Sequence, residues 1–98
     1  MNLSAVMVTG EQLNFKTSKN SCIIGRSSTC DFVIPHEGMS RQHCLVELID
    51  GELFVTDLGS TNGVMIDGER IPPNKKTPYA TFLSLSFGAV QNLSISGI

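Results

Sequence analysis

Short runs in which apolar and polar residues alternate follow one another along almost the whole chain. Such period-two alternation is typical of β-strands, because successive side chains of a strand point to opposite faces of its sheet. No run keeps the period of an amphipathic helix over about eleven residues, since glycine, proline or asparagine interrupts each candidate. The runs that predict strands are Leu3–Val8, Gln12–Lys16, Ser21–Gly25, Asp31–Ile34, His43–Ile49, Glu52–Leu58, Val64–Ile66, Glu69–Ile71, Thr81–Phe87 and Val90–Ile95.

Turn signals separate these runs. Asp50-Gly51 joins two of them through a two-residue link, which favours a tight hairpin, and Asp67-Gly68 is a second pair of the same kind. Short strands at such close spacing predict an all-β fold, either a sandwich or a barrel. The segment Pro72–Ala80 is expected to be a long, flexible link between strands.

Length and charge narrow the possible functions. The 98 residues are expected to form one domain around one core. A formal net charge of -2 argues against a nucleic-acid-binding module, which needs a basic surface. No apolar run approaches the roughly 18 residues of a membrane helix, so membrane insertion is not expected. Cys22, Cys30 and Cys44 lack paired spacing, which favours buried, reduced thiols in a cytoplasmic protein.

The polar residues concentrate in three segments, "GRSSTC" (25–30), "PHEGMSRQ" (35–42) and "DLGSTNG" (57–63). Function in a β-sandwich usually resides on loops gathered at one end. The guanidinium groups of Arg26 and Arg41 offer donors suited to carboxylate or phosphate. Hydroxyls and glycine-flanked backbone amides can add neutral donors. The combined segments therefore indicate a receptor for an oxyanion.

The order and spacing of three segments closely resemble the signature of the forkhead-associated (FHA) domain. "GRSSTCD" resembles its Gly-Arg after the third strand, "SRQH" its Ser-x-x-His before the fifth, and "DLGSTNG" its Asn-Gly after the sixth. The similarity covers about residues 20–72. It implies an all-β FHA-type sandwich of two mostly antiparallel sheets, with about ten to eleven short strands. The apical loops would hold a phosphothreonine peptide.

The resemblance also implies a role for each matching residue. Arg26 and Ser40 would bind the phosphate. Arg41 and Thr61 would lie near it. Asn62 would hydrogen-bond the peptide backbone beside the phosphothreonine. The residues that would shape and brace the loops are Gly25, His43 and Gly63.

The segment "DFVI" (31–34) poses a question of topology. In simple up-and-down order, the loops before and after it lie at opposite ends of a strand about 13 Å long. The long side chain of Arg26 would cover part of that distance. The place of Arg26 in the site is therefore assigned from the resemblance.

The C-terminal strands, expected at about residues 81–96, depart from the family pattern. The family commonly has a Gly-Asp turn and an apolar-x-apolar-Gly strand there, and this chain has no Gly-Asp pair. The departure leaves the phosphate-binding residues unchanged. It concerns the neighbouring loop near Phe87–Gln91, a kind of loop on which peptide selectivity can depend.

Enzymatic and metal-binding functions fit the sequence poorly. Neither "GSTNG" nor "GRSST" matches the G-x-S-x-G nucleophile elbow, and no acidic residue is evident to orient a Ser40–His43 pair. We therefore expect no enzymatic activity. Cysteines and histidines occur without the paired spacing of a zinc site, so neither a metal nor a cofactor is expected.

The expected partner is a protein or peptide that carries phosphothreonine, the product of a Ser/Thr kinase, bound by a monomeric domain. The alternative is an FHA-like scaffold that docks a protein partner independently of phosphate. The presence of Arg26, Ser40 and Asn62 together favours phosphate recognition.

Overall fold

The chain forms eleven β-strands in a computed structural model that describes all of residues 1–98. No helix long and apolar enough to cross a membrane is present. The strands are β1 (Asn2–Met7), β2 (Gln12–Lys16), β3 (Ser21–Gly25), β4 (Phe32–Val33), β5 (Cys44–Ile49), β6 (Glu52–Asp57), β7 (Val64–Ile66), β8 (Glu69–Arg70), β9 (Thr77–Tyr79), β10 (Leu85–Phe87) and β11 (Val90–Ser96).

The strands form two sheets. The first contains six strands in the order β2-β1-β11-β10-β7-β8, and the second contains five in the order β4-β3-β5-β6-β9. Neighbouring strands pair antiparallel, except β3 and β4, which are parallel. The prediction of an all-β, mostly antiparallel sandwich with about ten to eleven strands is confirmed.

One hydrophobic cluster of 21 buried residues lies between the sheets. Leu3 and Leu93 enter it from the first sheet, and Val46 and Val55 enter it from the second. Fully burying a side chain of this kind contributes about 1.5–3 kcal/mol relative to exposure. The buried side chains of alternate residues therefore hold the two sheets together, and the residues between them face outward.

The two ends of the sandwich have different connections. At one end, Asp50-Gly51 has φ angles of 51° and 80°, and Asp67-Gly68 has φ angles of 52° and 80°. These left-handed angles suit two-residue hairpins, which confirms both predicted turns. We call this the turn end. The opposite end, called the loop end, carries the three longer loops 26–31, 34–43 and 58–63.

The two chain ends lie together at the turn end. Asn2 at the start of β1 pairs with Ser96 at the finish of β11. The amino group of Met1 donates a hydrogen bond of 2.7 Å to the carbonyl oxygen of Thr17, which precedes β3. Because β3 starts here and finishes at the loop end, the chain ends are separated from the three loops by the length of the sheets.

The parallel pairing of β3 and β4 corrects the up-and-down expectation for "DFVI". Ile24 pairs with Phe32, and Gly25 pairs with Val33. The chain turns back between these strands, and the backbone amide of Asp31 donates to the carbonyl oxygen of Ile23 at 2.9 Å. Since β3 and β4 run in the same direction, both finish at the loop end. The loops before and after β4 therefore share one end of the sandwich.

A strand lies within the segment expected to be a flexible link. β9 pairs antiparallel with β6, from Leu53 opposite Tyr79 to Val55 opposite Thr77. Pro78 stands at an edge strand, where its missing amide hydrogen is tolerated. The expectation of a long, flexible link over Pro72–Ala80 is therefore wrong.

The strand expected over Thr81–Phe87 is shorter than predicted, because only β10 pairs with a neighbour. The preceding residues form a turn in which the amide of Leu83 donates to the carbonyl oxygen of Ala80 at 2.9 Å. Phe82 at the tip of this turn is 87% exposed. The alternating apolar and polar residues of this stretch thus form a turn followed by a three-residue strand.

Candidate anion-binding site

The first two loops at the loop end run side by side. The amide of Arg26 donates to the carbonyl oxygen of Ser40 at 3.0 Å, and the amide of Ser27 donates to that of Arg41 at 3.1 Å. These bonds satisfy backbone groups that lie beyond the end of β3. They also place the side chains of both arginines on adjoining segments.

Gly25 permits this close approach of the first two loops. A Cβ at this buried position would clash with the carbonyl oxygen of Arg41 and lie 2.9 Å from the sulfur of Cys30. The Cys30 thiol donates to the same carbonyl oxygen at 3.0 Å. The close approach of the first two loops therefore leaves room for glycine alone at position 25.

The side chain of Arg26 is held in place by the backbone and is not neutralised by an acid. Its Nε donates to the carbonyl oxygen of Met39 at 3.2 Å, which leaves the donors of its two terminal nitrogens free. Neither Arg26 nor Arg41 forms a salt bridge, since both salt bridges of the structure involve lysines. The two arginines are exposed and present uncompensated positive charge to solvent.

The third loop is bound to the second by side chains. The hydroxyl oxygen of Ser40 accepts a hydrogen bond of 3.1 Å from the amide of Thr61, so its own proton remains available to a ligand. The side-chain nitrogen of Asn62 donates to the carbonyl oxygen of Gly38 at 2.9 Å. One further amide hydrogen and the side-chain oxygen of Asn62 stay free, and together they can pair with a peptide group.

His43 connects the second and third loops from below. Its ring is fully buried, and its Nδ1 accepts a hydrogen bond of 3.1 Å from the amide of Ser40. The proton must then be on Nε2, which donates to the carbonyl oxygen of Gly63 at 2.9 Å. The ring also packs against Phe87, with 5.4 Å between the ring centroids. Both ring nitrogens of His43 are thus occupied by the backbone of the two loops that it joins.

The third loop is shaped by Asp57 and Ser60, two residues to which the resemblance assigned no role. The buried carboxylate of Asp57 accepts a hydrogen bond of 2.8 Å from the amide of Ser60. The Ser60 hydroxyl oxygen in turn accepts one of 3.0 Å from the amide of Gly63. An aspartate followed three residues later by a serine, at the end of a strand, is the signal that could have indicated this capped turn.

The turn between β10 and β11 packs behind the second loop. A Cβ on Gly88 would clash with the carbonyl oxygen of Gly38 and lie 2.9 Å from the sulfur of Met39. A Cβ on Gly38 would lie 3.1 Å from the amide nitrogen of Ala89. The turn near Phe87–Gln91 therefore supports the second loop by direct contact.

The three free thiols are buried and not chemically activated; Cys30 lies within the first loop, Cys22 in β3 and Cys44 in β5. Burial raises the pKa of Cys22 to about 12, and it raises the pKa of Cys44 well above its usual range. Burial is also the main cause that raises the pKa of Cys30. The thiols are therefore protonated at neutral pH, a form that is a poor nucleophile and a poor metal ligand. No group of three histidine, cysteine or acidic side chains is arranged to hold a metal ion.

All eight residues that the resemblance assigned to the site lie at the loop end, with the exposed side chains outermost and the buried residues below them. The arrangement offers two uncompensated guanidinium groups, a free hydroxyl proton and a free carboxamide edge. These groups suit an oxyanion attached to a peptide. The eight residues are Gly25, Arg26, Ser40, Arg41, His43, Thr61, Asn62 and Gly63.

Comparison with known proteins agrees with this geometry. The FHA domain family model matches residues 22–88. The protein phosphatase 1 regulatory inhibitor subunit PPP1R8 homolog of Arabidopsis thaliana is 41% identical over 69 residues, which are 68% of this chain and 19% of that protein. The chain thus spans about a fifth of the length of this relative.

Two solved structures have the same fold. One is an FHA domain from a structural and functional analysis of phosphothreonine-dependent FHA domain interactions. It has a TM-score of 0.75 and 21% identity, over 99% of this chain and 97% of that one. The other is the FhaA FHA domain complexed with the intracellular domain of Rv3910. It has a TM-score of 0.75 and 22% identity, over 95% of this chain and 96% of that one.

The family match covers the strands and loops that carry the site, from Cys22 in β3 to Gly88 after β10. FHA domains are protein-interaction modules rather than enzymes, and they generally bind partners that contain phosphothreonine. The chain belongs to the FHA domain family.

Proposed function

We propose that the loop end binds a phosphothreonine-containing peptide of a partner protein. The observation that carries this proposal is the guanidinium of Arg26, which is fixed by the carbonyl oxygen of Met39 and has no acidic partner. A dianionic phosphate would supply the missing counter-charge. Each charge-assisted hydrogen bond contributes roughly 1.5–3 kcal/mol, so one bidentate arginine can account for much of the phosphate dependence.

Each of the other loop residues has a part in this proposal. The free hydroxyl proton of Ser40 donates to the phosphate alongside Arg26. Arg41 and Thr61 lie near the phosphate and add charge and a neutral donor. The free carboxamide edge of Asn62 binds the peptide backbone beside the phosphothreonine, as its hydrogen bond to the second loop leaves that edge available.

The proposal includes a preference for phosphothreonine over phosphoserine. The methyl group would enter a small apolar notch where Ser40 meets Thr61 and Asn62, the point at which the second and third loops are hydrogen-bonded. Burial of one methyl contributes roughly 0.8 kcal/mol, and an unfilled notch adds a cavity penalty. The methyl also restricts the free side chain, so less freedom is lost on binding.

Titration of the domain with four otherwise identical peptides tests the proposal. The peptides carry phosphothreonine, phosphoserine, threonine or glutamate at one position, and isothermal calorimetry measures their affinities. We expect phosphothreonine to bind tightest and phosphoserine to bind ten- to a hundredfold more weakly, which corresponds to about 1.5–3 kcal/mol. Glutamate offers neither tetrahedral oxygens nor a second charge, so it should bind worst of the acidic peptides.

Equal affinity for the phosphorylated and unphosphorylated peptides would instead identify a scaffold that docks its partner independently of phosphate. Equal affinity for phosphothreonine and phosphoserine would show that the methyl notch is absent.

The same proposal specifies the biological setting of the partner. The ligand is the product of a Ser/Thr kinase, and a monomeric domain in the cytoplasm reads it. Three free, buried cysteines are consistent with a reducing compartment. The similarity of this chain to the FhaA FHA domain, which is complexed with the intracellular domain of Rv3910, supports a protein as the partner class.

A further inference from the structure

A groove of about 560 Å³ lies at the turn end, beside the strand β9 that forms one edge of the second sheet. It runs between the Asp50-Gly51 hairpin and the turn formed by residues 80–83. Most of its lining residues are hydrophobic, among them Leu53, Phe82 and Leu83. None of the lining residues belongs to the three loops, so this turn-end groove is separate from the anion-binding site.

Phe82 stands beside the groove on a structured turn. It is the most exposed large hydrophobic side chain of the chain, at 87%. The hydroxyl of Tyr79 donates a hydrogen bond of 2.9 Å to the carbonyl oxygen of Leu83. The amide of Ser84 donates one of 2.8 Å to the carboxylate of Asp67. Because these bonds hold the turn, the phenyl ring is already positioned in solvent, and little ordering of the backbone opposes its burial by a partner.

The rim of the groove is acidic. Glu52 lines the groove directly, and Asp50 lies next to it in the hairpin. Asp67 lies at the other side, where it holds Ser84. All three acidic residues are exposed, none forms a salt bridge, and the lining contains no lysine or arginine. The turn-end groove therefore combines an apolar lining with uncompensated negative charge.

The edge of the sheet at this groove is unsuited to the addition of a strand. Pro78 occupies the middle of the three-residue strand β9 and has no amide hydrogen to donate. Proline at a sheet edge protects the edge against pairing with another chain. A partner in the groove would therefore be held through side chains rather than through a shared sheet.

The acidic rim distinguishes among the apolar partners that could cover the groove. A two-fold contact between copies of the chain uses the same patch on both, so it would bring the unpaired acids together. An anionic membrane surface would be repelled by the same charges. Lysine or arginine residues that flank a large apolar side chain would instead complement both the rim and the lining.

We propose that the turn-end groove is a second docking site, which binds a basic segment of a partner protein. One or two large apolar side chains of that segment pack against Phe82 and the lining, and flanking lysine or arginine residues face Asp50, Glu52 and Asp67. The inference goes beyond the proposed function, because this site needs no phosphate and lies at the opposite end of the sandwich. The two ends thus receive ligand groups of opposite charge.

Selection from a library of random, unphosphorylated peptides displayed on phage tests this inference. The selected peptides are synthesised, and fluorescence anisotropy measures their affinities for the wild-type domain, for Phe82→Ser and for the double variant Asp50→Asn, Glu52→Gln. Val8→Ser and Glu11→Gln are the matched controls. Both control residues are exposed and lie in the link between β1 and β2, so they remove an apolar side chain and a charge away from the groove.

The selected peptides should share a large apolar residue with lysine or arginine on at least one side. Phe82→Ser should weaken their binding about tenfold or more, since a buried aromatic anchor is a typical hot spot. The double charge variant should weaken it about three- to tenfold, and added salt should reduce this difference. Both control variants should bind the peptides as the wild type does.

The inference would be overturned if no peptide were enriched, if the enriched peptides lacked basic residues, or if Phe82→Ser left their affinity unchanged. Self-association in analytical ultracentrifugation that disappears in Phe82→Ser would overturn it by assigning the groove to a second copy. Binding to phosphatidylcholine–phosphatidylserine vesicles that disappears in this variant would overturn it by assigning the groove to a membrane.

The failure of this inference is distinguishable from failure of the proposed function. Phe82→Ser should bind a phosphothreonine peptide with the affinity of the wild type, because the loops do not contribute to the groove. The selected peptides should likewise bind equally well in the presence of the phosphopeptide. Thermal melts establish that each variant is folded.

Discussion

Glycine serves different purposes at the two ends of the sandwich. At the turn end, Gly51 and Gly68 have φ angles of 80°, and nothing lies within 4 Å of the position that a Cβ would take. At the loop end, a Cβ on Gly25 or Gly88 would clash with the backbone of a neighbouring loop. Gly51 and Gly68 thus provide a backbone conformation, whereas Gly25 and Gly88 provide space for contact between segments.

The difference shows how strongly the loops depend on one another. The Asp50-Gly51 turn is a local unit, since its two residues determine its geometry. The loops instead share hydrogen bonds made by Ser40, His43 and Asn62, so each loop is positioned by the next. Substitutions at the loop end should therefore change phosphopeptide binding, whereas substitutions at the turn end should leave it unchanged.

The largest effect is expected from Arg26→Ala, which should abolish phosphopeptide binding and preserve the fold. The loss of a bidentate arginine costs about 3 kcal/mol, or more than a hundredfold in affinity. Calorimetric titration measures the loss, and Lys16→Ala provides a control that removes a cation from the turn end. Wild-type affinity in a folded Arg26→Ala protein would refute the assignment of the site.

His43→Ala should lower the free energy of unfolding by about 3 kcal/mol, because it empties a buried site and leaves two backbone groups without partners. Binding should weaken as a consequence of loosened loops. The control is His36→Ala, since the Nδ1 of His36 accepts only a local hydrogen bond from Gly38 at 3.0 Å. Chemical denaturation and peptide titration measure the two effects. Full stability combined with lost binding would make His43 a direct ligand contact.

Acid should weaken binding at the loop end by up to about tenfold between pH 7 and pH 5, since the second pKa of phosphothreonine is near 6. The dianion fraction falls as the pH falls through this window, and uncompensated guanidinium groups favour the dianion. Titrations at several pH values should follow the phosphate pKa that phosphorus NMR measures on the free peptide. A flat profile would indicate recognition that does not depend on the phosphate charge.

The smallest effect on binding is expected from Gly51→Ala at the turn end. Alanine in a left-handed conformation costs roughly 1–2 kcal/mol, and no neighbouring atom obstructs the added methyl. The midpoint of denaturation should fall slightly, and affinity for the phosphopeptide should remain that of the wild type. A loss of affinity in this variant would show that the two ends are coupled.

Local rules were sufficient to predict most strands and both aspartate-glycine turns. Asp50 and Asp67 each precede a glycine between alternating runs, so the signal and the structure lie within a few residues of each other. β9 was missed because two lysines and Pro78 interrupt its pattern, while its pairing with β6 is a tertiary contact. In Thr81–Phe87 a turn has the same alternation of apolar and polar residues as a strand. The pattern alone does not show whether a partner strand is present.

The sequence was enough to predict which residues form the candidate site. It was not enough to predict how those residues are arranged in space. The motif residues could be placed by resemblance, yet the loops before and after β4 share one end only because of a parallel pair of two residue positions in β3 and β4. No local sequence signal accompanies so short a pairing. The contact between Arg70 of β8 and Gly63 was not predictable for a similar reason, because it exists only once β7 and β8 have formed a hairpin.

The pairing of Asn2 with Ser96 has a consequence for protein engineering. Because the chain ends are neighbours at the turn end, a short linker can join them, and new ends can be opened between Asp50 and Gly51. Exposed turns with no surrounding contacts are the sites at which circular permutation is usually tolerated. The ribosome would synthesise the strands of the permuted chain in a different order. The folded domain would still contain the same three loops.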